Sequence, residues 1–209
     1  MNSLLSPEKL RSLTVYLVSV VSGFVIMGVE LLAGRLLSPY FGSSIYVWGS
    51  IITIFMLALS IGYLTGGRWS TRSPSLKKLS FLYFLAALLL LPIPLFAQSI
   101  MEKLFLLVED PRYGSLLASA LLFLPATIIM GMIAPYAVRL LALTTEQTGL
   151  TAGRLYFVST LGSAVGTIAT SFYLVAWFTL PQIFSSFITA LLISAALLLF
   201  YPHSQNSSH

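Results

Sequence analysis

Residues Leu13 to Gly42, LTVYLVSVVSGFVIMGVELLAGRLLSPYFG, decide the architecture of this chain. From Leu13 to Ala33 the run is apolar and long enough, at about 1.5 Å per helical residue, to cross roughly 30 Å of hydrocarbon. One acid, Glu30, stands inside it. A charged side chain at that depth costs about 2.5–3.5 kcal/mol on insertion scales, so such a group faces the protein interior or a wet cavity and takes a partner. Glu30 is therefore the first candidate for function.

Five further runs of spanning length follow, at Ile45 to Thr65, Leu79 to Ile100, Ser115 to Leu143, Leu150 to Phe178 and Gln182 to Tyr201. Apolar residues make up 57% of the chain and charged residues only 8%, against about 25% charged in soluble domains. The reading is all-α: a polytopic membrane bundle of six transmembrane helices, with residues 1–12 as an N-terminal segment, 13–201 as the bundle and 202–209 as a polar tail. The first run is too long for a signal-peptide core and is expected to be retained. Runs four and five exceed one bilayer thickness, so tilt or bends are expected at Pro125, Pro135, Gly162 and Gly166.

Basic residues set the orientation. Eight of the eleven Lys and Arg (Lys9, Arg11, Arg68, Arg72, Lys77, Lys78, Arg139 and Arg154) fall on one side, with Arg35, Lys103 and Arg112 on the other. Both termini are expected to be cytoplasmic, in a multi-pass protein of the plasma (inner) membrane. The net charge of +5 then suits anionic lipid headgroups, and the chain lacks the basic soluble surface that a nucleic-acid partner needs. Cysteine is absent and the two histidines, His203 and His209, lie in the tail. Disulfides, thiol catalysis and a histidine triad or metal site within the helices are excluded. No cofactor, metal or catalytic residue is expected.

Met101 to Val108, which carries Glu102 and Lys103, is too short to cross and reads as a helix lying at the outer interface or as a plain loop. Gly62 with Gly66 and Gly162 with Gly166 repeat at four-residue spacing, which bares one helix flank for close packing or for a small-residue wall beside a substrate path. Thr160, Ser163, Thr167, Thr170 and Ser171 form a hydroxyl stripe at spacings of three and four, again open to packing or to a polar pocket. Leu32-Ala33-Gly34-Arg35 resembles Thr151-Ala152-Gly153-Arg154, a weak sign of internal duplication.

Glu30 needs a cation. Arg35 lies five residues on, whereas Arg154 falls nearer the opposite face. An Arg35 pair would make the site a structural ion pair; without it the carboxylate is free to receive an amine or a proton. Tyr40, Tyr46, Trp48 and Tyr63 are candidates to lend aromatic faces to a cation, although Tyr46 and Trp48 read better as part of an interfacial aromatic belt. The ligand-handling set is therefore Glu30, Arg35, Tyr40, Tyr63, Arg154 and Thr160.

Several blocks act together: Glu30 with Gly34-Arg35-Leu36 and Phe41-Gly42-Ser43-Ser44, then Gly62-Tyr63 with Gly66-Gly67-Arg68, and Gly153-Arg154-Leu155-Tyr156 with Gly162-Ser163 and Gly166-Thr167. They resemble the membrane domain of the spermidine-synthase-like integral membrane proteins, often labelled major-facilitator/spermidine-synthase fusions. In that family a soluble aminopropyltransferase-like domain usually follows; this sequence offers no residues for its active site, so an enzymatic role is not expected. What the resemblance and Glu30 imply is binding or transport of a small, polyamine-like cation. The alternative is a non-catalytic scaffold or accessory subunit of a larger membrane complex or of a separate partner enzyme.

Overall fold

A computed structural model describes residues 7–108, 110–142 and 145–201. Its helices are α1 (Pro7–Phe41), α2 (Ile45–Ser70), α3 (Leu76–Leu90), α4 (Pro92–Leu107), α5 (Pro111–Leu141) and α6 (Thr145–Ile168), then a π-helical turn (Ala169–Leu174), α7 (Val175–Trp177) and α8 (Leu180–Leu199). No strand occurs among the described residues. Six stretches are long and apolar enough to span a membrane: Glu8–Phe41, Ile45–Ser70, Leu76–Leu107, Pro111–Leu141, Thr148–Trp177 and Leu180–Leu199. The protein is a multi-pass membrane helix bundle. Six crossings return the chain to the face where it began, and Leu10, Thr14, Phe200 and Tyr201 line one cleft there. That face is called terminal below, and the opposite one distal.

Two sequence expectations are corrected. Residues 7–12 form the first turns of α1; residues 1–6 and the tail 202–209 lie outside the described residues. Met101–Leu107 is neither a separate helix nor a loop but the end of α4, with Met101 fully buried and Leu104 close to it. The break falls earlier, at Leu91, whose N–H bonds back three residues to the Leu88 carbonyl at 3.3 Å. Pro92, which lacks the N–H that would continue the α ladder, opens a new helix there. In the fifth span the departure from α geometry lies beyond Gly162 and Gly166, in the π-turn.

Glycine decides which helices meet. Lipid is as apolar as a helix flank, so association relies on close van der Waals contact. Gly62 and Gly66 press α2 onto the α5 backbone: a Cβ added at Gly62 would stand 2.8 Å from Gly131 Cα, and one at Gly66 2.6 Å from Met132 Cα. Gly162 and Gly166 do the same for α6 against Val20 and Phe24 of α1. Gly23 of α1 returns the contact, and Ser163 Oγ donates to its carbonyl at 3.1 Å.

Between these pairs, Phe123 of α5 lies 5.8 Å from Phe55 of α2 and 6.5 Å from Phe184 of α8. Tyr83 of α3, fully buried, donates to the Val18 carbonyl at 2.7 Å. Outward faces carry Met56, Leu57, Phe84, Leu121, Leu161 and Phe172 in the open, a surface suited to lipid rather than water.

Candidate functional site

The distal half of α1 organises the site. The chain leaves α1 at Gly42, whose φ of +79° needs no Cβ, and turns through Ser43 and Ser44 into α2. This turn brings Trp48 back against Gly34, where an added Cβ would lie 2.6 Å from the indole Cη2. The missing side chain at Gly34 makes the slot that holds the Trp48 ring. Tyr46 remains exposed, with the Arg112 guanidinium 5.4 Å from its ring centre.

On another flank of α1, Gly28 faces Phe187 and Thr170; an added Cβ would stand 3.1 Å from Thr170 Oγ1. Thr170 belongs to the π-turn, a distortion that frequently marks functional positions. Its side chain is fully buried and its hydroxyl has no hydrogen-bond partner. The rest of the hydroxyl stripe behaves differently. Ser163 and Thr167 bond to carbonyls four residues back, at 3.1 and 2.9 Å, while Thr160 is exposed.

Arg35 leaves α1 sideways and donates from Nη1 to the Val175 carbonyl at 2.9 Å. The guanidinium is thus committed to the end of the fifth span and not to Glu30. Trp48, Arg35 and the π-turn together bound a distal groove of about 610 Å³, with Leu31 and Leu180 as apolar walls and Ser38, Ser43 and Ser171 as further polar lining.

Glu30 lies beside this groove rather than in it. Five residues separate it from Arg35, about 140° around the helix and about 7 Å along it. Seven residues, about two turns, separate it from Gly23, so it projects from the α1 flank that packs on α6 lower down. The carboxylate is half-buried, and among the described residues it makes no ion pair or hydrogen bond.

The other expected ligand-handling residues are dispersed along the bundle. Tyr40 is ten residues beyond Glu30, about 15 Å toward the distal end, tilted against Phe105 at 6.4 Å. Taking levels from the contacts of Gly34 with Trp48 and of Val20 with Gly162, Tyr63 lies about 16 Å, Thr160 about 18 Å and Arg154 about 27 Å toward the terminal face from Glu30. All three are exposed on the outside of the bundle. They do not form one site with Glu30.

Among the described residues no three His, Cys, Asp or Glu side chains cluster. Sequence reasoning missed the grouping of Trp48 with Arg35, Ser38, Ser43 and Ser171. The one available signal was a glycine, Gly34, one turn above the acid and able to receive a large ring. Comparison with protein-family models, curated proteins and solved structures gives no match.

Proposed function

We propose that this protein is a membrane module that binds or transports a small, polyamine-like cation, with the Glu30 carboxylate as the group that recognises it. The observation that carries this reading is a half-buried acid within a spanning helix that no cation of the described chain neutralises. An ionised intramembrane acid left in that state is costly unless a proton or another cation neutralises it. An alkylammonium group does so while its methylenes stay among apolar side chains. The motif resemblance to spermidine-synthase-like membrane domains points to the same ligand class. With both termini cytoplasmic in the plasma membrane, the arrangement the basic loops favour, Glu30 sits in the outer half of the bilayer.

The test is reconstitution into liposomes with uptake of labelled spermidine, comparing wild type with Glu30→Gln. Saturable uptake lost in the variant supports the proposal; equal uptake removes Glu30 from the mechanism.

A second reading, an accessory subunit that packs against a partner membrane chain, is favoured by the fifth span. Its most apolar window has the lowest hydropathy of the six, 1.4, yet only 17% of that window is buried, against 33–50% in the others. The least apolar span is the one most open to lipid, which a partner helix would relieve. Gentle solubilisation and mass spectrometry distinguish the two, since a stoichiometric second chain supports the subunit reading.

A further inference from the structure

We infer that the distal groove beside Arg35 is a binding site for a phosphate group, carried either by a phospholipid headgroup or by a small soluble phosphate ester. This site is separate from Glu30 and does not rest on the cation reading. Arg35 is the charged side chain of the groove, and no carboxylate lines it. Its guanidinium is exposed and spends one nitrogen on the Val175 carbonyl, which leaves further N–H donors of its five for an anion.

Ser38, Ser43 and Ser171 add hydroxyl donors around the same space. At its back the fully buried Thr170 hydroxyl lacks an acceptor, an omission that costs stability in a dry interior. A phosphate, with several acceptor oxygens, can take up such a set of donors. The volume of about 610 Å³ is that of a small-molecule site.

Position favours the same chemistry. Arg35 is six residues, about 9 Å, from the end of α1 at Phe41, near headgroup depth. The apolar walls Leu31, Trp48 and Leu180 lie where a lipid's upper acyl carbons would run.

The experiment is native mass spectrometry of the purified full chain titrated with phosphatidylglycerol, with diacylglycerol as the phosphate-free lipid, alongside calorimetric titration with glycerol 3-phosphate. The expected result is retention of phosphatidylglycerol over diacylglycerol, weakened about tenfold by Arg35→Gln, the loss of one charge-assisted contact. Phosphatidylglycerol binding without glycerol 3-phosphate binding assigns the lipid source; binding of the soluble ester assigns the free source. Equal retention of the two lipids together with no binding of the ester overturns the inference, as does an Arg35→Gln variant that binds like wild type. Should Arg35→Gln not yield folded protein, Thr170→Val with Ser171→Ala replaces it: weaker phosphate binding supports the site, and unchanged binding overturns it.

Discussion

Replacing Gly62 by alanine should drive α2 away from α5, and the structure gives the size of the effect. The new methyl carbon would stand 2.8 Å from Gly131 Cα and closer still to the Ile128 carbonyl oxygen, whereas carbon atoms attract best at about 3.5–4.0 Å. Both obstacles are backbone, so no side chain can swing aside. The helices must separate by about 1 Å, a gap that forfeits up to about half of the attraction of each contact along the seam. Overpacking of this kind costs about 1–3 kcal/mol.

Gly67, five residues along the same helix, is the control, because a methyl there meets nothing within 4 Å. Gly67→Ala gains helix propensity and should be neutral or stabilising by up to about 1 kcal/mol. Unfolding in mixed micelles with increasing dodecyl sulfate, followed by loss of helical circular dichroism, reads both variants against wild type. If Gly62→Ala is as stable as Gly67→Ala, the packing account of the α2–α5 seam is wrong.

Tyr83→Phe removes the hydroxyl that bonds the Val18 carbonyl and should cost about 0.6 kcal/mol, with about 1.7 kcal/mol as the upper bound for such bonds in membranes; the same unfolding assay measures it. Gly34→Leu fills the slot that holds the Trp48 ring, so Trp48 emission should shift to longer wavelength in a Trp69→Phe, Trp177→Phe background, and an unshifted spectrum would contradict the placement. On the accessory-subunit reading, a photo-crosslinker at the exposed Phe157 on α6 should capture one discrete protein in membranes; capture of lipid alone counts against that reading.

The six spans were legible because each is a long, predominantly apolar run, and the glycine flanks were legible because four-residue spacing puts both glycines on one side of a helix; that they serve packing was settled by the neighbouring backbones. Less could be read where the outcome depended on tertiary partners. Pro92 and Pro94 announce a break, but the burial of Met101 and Leu104 at the end of α4 depends on the bundle they pack against and not on their own sequence. The π-turn has no signature in residues 169–174, so the lone hydroxyl of Thr170 could not be separated from its bonded neighbours Ser163 and Thr167. Arg35 was readable as a cation near an acid, yet helix geometry turns the two apart and the Val175 carbonyl captures the guanidinium. Tyr63, Arg154 and Thr160 were grouped with Glu30 by residue type, whereas depth along the helices separates them.

The central claim concerns the unpaired carboxyl of Glu30 as a cation-recognising group, and equilibrium dialysis of labelled spermidine against the purified protein tests it most directly. Wild type should bind saturably, and Glu30→Gln should weaken binding by about tenfold or more, the loss of one charge-assisted contact. Because no partner among the described residues is orphaned by the change, the variant should unfold at the same detergent concentration as wild type or a higher one. Equal binding by the two proteins, or no saturable binding by either, would contradict the account.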